Sequence, residues 1–168
     1  ISNNEVTSCA RAIYVGGSNI TVCNALTVSN NVVGSATAGN TTTVYSMGIT
    51  LQGYTAATVA ANTIRNIESF LATGIRGLDL GAISSAGTNA VVERNFINGV
   101  NNKSISTFGA YGINIAAGNG NTIRNNMVQG ITGDMTGGAA FSTTFGIFGI
   151  RIASGINHVV YHNSVYLH

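Results

Sequence analysis

A six-residue pattern, apolar-x-x-Asn-x-apolar, recurs six times along the chain and constrains its fold more than any other feature. The copies are Ile1–Val6, Val28–Val33, Val59–Ile64, Val92–Ile97, Ile123–Val128 and Val160–Val165. Their asparagines are Asn4, Asn31, Asn62, Asn95, Asn126 and Asn163, spaced 27, 31, 33, 31 and 37 residues apart. A period in this range marks a solenoid built from stacked units. A second element precedes five of the copies: Ile13-Tyr14-Val15, Ile49-Thr50-Leu51, Leu78-Asp79-Leu80, Ile113-Asn114-Ile115 and Ile150-Arg151-Ile152. Gly48, Gly77, Gly112 and Gly149 stand just before four of these. Gly16, Gly53, Gly81, Gly118 and Gly155 follow within three residues.

The apolar residues alternate with period two and glycine punctuates each unit, so helices cannot carry the pattern. Each unit reads as a short strand, a Gly-containing turn, a second strand, an Asn corner and a third strand. Such strands are too short to stand alone. Stacking lets each pair in parallel with its copy about 4.8 Å above and below. The outer residues of each Ile-x-Ile then face a narrow core and the middle one faces out. A side-chain amide both donates and accepts, so an asparagine repeated at one corner bonds to its copy in the next turn and forms a ladder. The same residue tolerates left-handed backbone at a bend. The sequence therefore predicts one all-β domain over residues 1–168. It is a right-handed parallel β-helix of about five to six turns, with an internal asparagine ladder and loops on one side.

The pattern resembles the right-handed parallel β-helix of the pectin-lyase-like superfamily. The stretches 112–128 and 149–167 carry the likeness most clearly. They are also similar to repeats in large secreted surface proteins of Bacteroidota-type bacteria. The resemblance implies a secreted or cell-surface location. Enzymes of that superfamily use clustered acids on one outer face, with Ca²⁺ in the lyases and paired carboxylates in the hydrolases. That catalytic pattern maps onto no residues here.

The five acids are Glu5, Glu68, Asp79, Glu93 and Asp134. Aligned turns place Tyr14, Thr50, Asp79, Asn114 and Arg151 in one outward column. Ala60, Glu93, Arg124 and Tyr161 form another, in which Glu93 and Arg124 are spaced for an ion pair. Each column holds one acid, so no pair for hydrolysis and no cluster for Ca²⁺ is expected. The candidate ligand face is Asp79, Asn114 and Arg151 with Tyr111 and Phe108. The expected insertions, 34–47, 68–76, 98–111 and 129–148, hold Tyr45, Phe70, Phe108, Tyr111, Phe141, Phe145 and Phe148. Those rings either stack on sugars or fold back onto the solenoid flank.

Seven Lys and Arg against five acids leave a net charge of +2. Seven scattered cations make no basic patch for nucleic acid. No apolar run reaches the ~20 residues of a membrane-spanning helix. With 21 Asn and 22 Gly, polar neutral side chains must keep the surface wet, which suits an extracellular setting. Cys9 and Cys23 either close a small disulfide loop in an oxidising compartment or remain two free, buried thiols. His158, His162 and His168 have no acid or cysteine nearby in sequence, so neither metal nor cofactor is expected. His162 takes the corner position that Asn30, Arg94 and Asn125 hold elsewhere. Asn19, Asn40 and Asn102 sit in Asn-x-Ser/Thr sequons. Thr50 and Thr41–Thr43 do not recur in register, which argues against ice binding.

The expected function is a non-catalytic extracellular structural or adhesive module, a rigid spacer or fibre segment. The alternative is the carbohydrate-binding part of a polysaccharide lyase or glycoside hydrolase. The ends fall inside the pattern, so end-to-end contact with itself or with flanking domains is expected, and a polysaccharide is the candidate ligand.

Overall fold

The computed structural model describes residues 1–18, 21–39, 44–81, 87–105, 108–134 and 146–167. Every regular element among them is a β-strand. The chain opens on β1 (Glu5–Val6). A first turn follows: β2 (Arg11–Gly16), β3 (Cys23–Asn24), β4 (Thr27–Ser29) and β5 (Val32–Val33). The second turn is β6 (Met47–Gln52), β7 (Tyr54–Thr55), β8 (Thr58–Ala60) and β9 (Thr63–Ser69). The third is β10 (Ile75–Leu80), β11 (Gly87–Thr88), β12 (Val91–Glu93) and β13 (Phe96–Asn102). The fourth is β14 (Ala110–Ile115), β15 (Gly118–Asn119), β16 (Thr122–Arg124) and β17 (Met127–Gly133). A last, incomplete turn has β18 (Ile147–Ile152), β19 (Val159–Tyr161) and β20 (Ser164–Tyr166).

Four parallel sheets result. The first is β2-β6-β10-β14-β18, the second β3-β7-β11-β15, the third β4-β8-β12-β16-β19, and the fourth β1-β5-β9-β13-β17-β20. The solenoid thus has four complete turns rather than the five to six read from the asparagine count. It also has four sheets where three were expected. The extra one is only two residues wide, too short for alternation to reveal it.

The Ile-x-Ile elements stack in the expected register: Ile13, Ile49, Leu78, Ile113 and Ile150 form one column, and Val15, Leu51, Leu80, Ile115 and Ile152 another. Facing them are Val28, Val59, Val92, Ile123 and Val160 of the third sheet, and Val33, Ile64, Ile97, Val128 and Val165 of the fourth. Side chains in the middle turns are wholly buried, so each turn contributes several aliphatic residues at ~1.5–3 kcal/mol apiece.

Gly48, Gly77, Gly112 and Gly149 face the side chains of Ile64, Ile97, Val128 and Val165 of the fourth sheet. A Cβ at Gly77 would lie 2.8 Å from the Ile97 side chain, and one at Gly112 would lie 2.4 Å from Val128. The recurring glycine before each Ile-x-Ile is therefore a space requirement.

All six asparagines stack at one corner. The Nδ2 groups of Asn4, Asn31, Asn62, Asn95 and Asn126 each donate to Oδ1 of the next, at 2.9 to 3.0 Å. The backbone N–H of each donates to the same oxygen. A second Nδ2 bond ties Asn62, Asn95, Asn126 and Asn163 to the third-sheet strand one turn below, through the carbonyls of Val28, Val59, Val92 and Ile123.

The left-handed bend, however, does not fall on the ladder residue. It falls on the residue before it: Asn3, Asn30, Ala61, Arg94, Asn125 and His162, with φ between 53° and 58°. The ladder asparagines need only their amides.

The fourth-sheet strands also run longer than the pattern suggested. Three of them span seven residues because a left-handed kink at Asn66, Gly99 or Gly130 lets the chain bend and continue. The insertions accordingly start later than read, after Ser69, Asn102 and Gly133.

Candidate functional site

The outer face of the first sheet gathers most of the residues read as a ligand face. Gly77 and Leu78 both turn inward, so Arg76 and Asp79 both face out, and two outer files arise. One is Tyr14, Thr50, Asp79, Asn114 and Arg151. The other is Arg11, Met47, Arg76, Tyr111 and Phe148. Tyr111 and Phe148, read as loop residues, lie in β14 and β18.

The two files interlock. Asn114 Nδ2 donates to Asp79 Oδ1 at 2.6 Å, and Arg151 Nη1 donates to Asn114 Oδ1 at 3.1 Å. Arg76 Nε lies 3.5 Å from Asp79 Oδ1. The Tyr111 and Phe148 rings stack at 5.7 Å and 3°. The guanidinium groups of Arg76 and Arg151 lie 5.5 and 5.4 Å from the Tyr111 ring centre. Each such contact is worth ~0.5–1 kcal/mol where water has access.

This stripe faces outward but is closed over. Thr50, Asp79 and Asn114 are buried, with exposures of 0, 5 and 1%. Burial pushes the Asp79 carboxyl above the ordinary carboxylate range, and Arg76, Asn114, Arg151 and Arg11 only partly offset that. Burial likewise pushes up the Tyr111 hydroxyl, against the pull of Arg151 and Arg76. Arg76 thus pairs with the carboxylate directly, and Arg151 reaches it through Asn114.

Phe108 belongs to a different device. It lies in the loop before β14, and its carbonyl accepts from Asn102 Nδ2 at 2.9 Å. The same amide reaches the carbonyls of Thr73 and Gly109. Asn102 is therefore a buried loop clamp, and its sequon has no free side chain to offer. Asn19, Asn40, Thr41–Thr43, Phe141, Phe145 and His168 lie outside the described residues. Tyr45 and Phe70 are exposed at 43 and 75%, and Phe70 carries Lys103 over its ring at 5.5 Å.

Two polar clusters escaped the sequence reading. Glu68 accepts from the Gly39 N–H, from Asn101 Nδ2 and from Lys103 Nζ, at 2.9, 3.1 and 3.1 Å. Burial alone would raise its carboxyl, but these donors outweigh it and leave it below its ordinary value. The partners come from an earlier loop and from the next turn, so no local motif announces them.

The second cluster lies where the second sheet meets the third. The Tyr54 ring fills the space left by Gly87, where a Cβ would come within 2.2 Å of it, and its hydroxyl lies 3.3 Å from Asn121 Oδ1. Ala90 N–H donates to that same oxygen, and Asn121 N–H donates to His158 Nδ1. His158 Nε2 lies 3.2 Å from the Ser154 carbonyl. A donor at Nδ1 from Asn121 and an acceptor at Nε2 fit the neutral tautomer with its hydrogen on Nε2.

On the third sheet Glu93 bridges Arg94 and Arg124, each at 2.7 Å, and Arg124 also reaches Tyr161. The Glu93–Arg124 pair is the one the spacing suggested. A threonine file does exist here, Thr27, Thr58 and Thr122, but Val91 and Val159 interrupt it. The neighbouring file carries the Glu93 ion pairs, which spoils a flat hydroxyl surface for ice. Cys9 and Cys23 are free thiols, each half-buried, and burial pushes the Cys9 thiol up. Among the described residues no three His, Cys, Asp or Glu gather as a metal site, and no helix is long and apolar enough to cross a membrane. Compared with family models, curated proteins and solved structures, the chain matches none.

Proposed function

We propose that the chain is a non-catalytic structural or adhesive module: a rigid β-helical segment of a secreted or cell-surface protein. The observation that carries this reading is the asparagine ladder, which runs without a break from Asn4 to Asn163. A rod whose every turn is cross-tied at one corner resists bending and shear. The acids support the same reading, since Glu68, Asp79 and Glu93 are each engaged by cations of the chain itself. None is left beside a second carboxylate within its own outward file. The likeness to pectin-lyase-like solenoids and to bacterial surface repeats belongs to this proposal. The test is turnover: purified chain should cleave neither polygalacturonate nor alginate, with or without Ca²⁺. Cleavage abolished by Asp79→Asn or Glu93→Gln would overturn it.

A second reading, binding of a polysaccharide on the first-sheet face, is favoured by Phe148, a half-buried ring stacked on the buried Tyr111 beside Arg151. Titration calorimetry with acidic oligosaccharides, repeated with Phe148→Ala, tests it. Heat that survives the substitution would place the ligand elsewhere.

A further inference from the structure

An amine and a carboxamide meet on one buried carboxylate at the end of β13. Asn101 lies in an outer file of the fourth sheet, paired with Glu68 on one side and Thr132 on the other. The N–H of Lys103 donates to the Ser69 carbonyl at 2.8 Å, so the pairing with β9 continues one residue past β13. Two residues apart on an extended chain, the Asn101 and Lys103 side chains leave on the same side. Both end on Glu68: Asn101 Nδ2 donates to Oε1 and Lys103 Nζ to Oε2, each at 3.1 Å. Glu68 is only 6% exposed, and the Gly39 N–H donates to Oε2 at 2.9 Å. On the other side of the amide the Thr132 hydroxyl donates to Asn101 Oδ1 at 2.8 Å.

An ion pair needs only Glu68 and Lys103. The further parts are those of an acyl transfer: an amine, an acyl group, a proton carrier in contact with both nitrogens, and a donor on the carbonyl oxygen. Asn102 is not the acyl group. It is buried, and its Nδ2 is spent on the carbonyls of Thr73, Phe108 and Gly109. Around the amine stand the Phe70 ring, 5.5 Å from Nζ, and Asp134, whose N–H donates to the Asn102 carbonyl.

We propose that Lys103 and Asn101 become joined by an amide bond between Nζ and Cγ, made by the chain itself with Glu68 as proton carrier. Glu68 Oε2 takes a proton from the Lys103 ammonium, and the freed Nζ attacks Cγ. The carbonyl electrons move to Oδ1, against the Thr132 hydroxyl, and return as the Cγ–Nδ2 bond breaks. In becoming an amide the lysine nitrogen gives up two protons. Both pass to Nδ2, which departs as ammonium, and Glu68 ends as the carboxylate it began. No oxidant or other reactant enters. The product clips the end of β13 to the start of the following loop with a bond that reduction does not break. It forms once per chain, so it goes beyond the structural reading and does not depend on it.

Intact-mass spectrometry of the purified chain, fresh and after incubation in mildly alkaline buffer, tests this. The chain should become lighter by one ammonia. Trypsin should then fail to cut after Lys103, and fragment spectra should place the link between positions 101 and 103. Lys103→Arg keeps a cation for Glu68 and should hold its full mass. Glu68→Gln removes the proton carrier, and Thr132→Val, at an exposed position, removes the donor to Oδ1; each should slow the loss by about tenfold or more. A parent chain that keeps its full mass overturns the proposal. So does a loss of ammonia that persists in Lys103→Arg, which belongs to a succinimide at Asn98-Gly99 or Asn119-Gly120. Loss of one water instead overturns it too, since that would join Lys103 to Glu68. Equal rates in the parent and in Glu68→Gln overturn the role of Glu68. None of these failures touches the non-catalytic reading, which turnover of polysaccharides decides separately.

Discussion

The hydroxyl of Tyr54 lies 3.3 Å from Oδ1 of Asn121, a residue 67 positions later and two turns further along the solenoid. Both side chains are buried, and the ring crosses the intervening turn at Gly87. Tyr54→Phe removes one donor and leaves the Ala90 bond to Asn121 intact. It should cost about 1 kcal/mol in denaturant unfolding. Asn121→Ala leaves both the Tyr54 hydroxyl and the Ala90 N–H without their partner and should cost ~1–3 kcal/mol. In the Asn121→Ala background Tyr54→Phe should cost nothing. An unchanged cost there would mean that the two groups do not interact.

Position within the ladder should set the cost of breaking it. Asn95→Leu takes the acceptor from two donors of Asn62 and the Nδ2 donor from Asn126, whose Oδ1 keeps only the backbone N–H of position 95, all buried. At ~1–3 kcal/mol per unsatisfied group, unfolding midpoints should fall sharply. Asn4→Leu, at the exposed end, should cost a fraction of that. Equal effects at the two sites would argue against a cooperative ladder.

The left-handed corner offers a gain. Ala61 holds φ of 53° with its side chain in solvent, and a β-carbon there costs roughly 1–2 kcal/mol. Ala61→Asn should stabilise by up to ~1 kcal/mol, because asparagine tolerates this conformation locally. Ala61→Val should destabilise. Thermal melts of both variants check the sign.

Acid should act on two carboxylates in opposite directions. Glu68 is held below its ordinary value, so its contribution is complete above the unfolded value and is lost as pH falls through the folded one. Asp79 is pushed up by burial, so protonation relieves a penalty as pH falls through its folded value. Glu68→Gln should therefore flatten the loss of stability in acid, whereas Asp79→Asn should steepen it. Urea midpoints across the carboxylate range, compared with the parent chain, decide between these and a common direction.

Periodicity made the core legible because it is written locally: each Ile-x-Ile and each Asn corner announces its own turn. Register then followed from alignment, and the Tyr14–Arg151 and Ala60–Tyr161 files fell where the spacing put them. The second sheet was illegible because two residues, such as Gly87-Thr88, show no alternation. The burial of Asp79 and Asn114 was hidden as well, since it depends on Arg76 and Tyr111 of a neighbouring file that Gly77 and Gly112 bring outward. The Glu68 and Tyr54 clusters join residues from different turns with no repeat between them.

The ladder has a sense as well as a length. From Asn4 to Asn126 every side-chain amide donates toward the next turn, and from Asn31 to Asn163 each accepts from the one before. Their dipoles add head to tail, as peptide units do in an α-helix, and polarise one another in a water-free interior. The rod is therefore an electrical vector, positive toward Asn163 and negative toward Asn4. Joining two such rods at like ends would set donors against donors or acceptors against acceptors, so any filament that carries the ladder through its junctions inherits one direction.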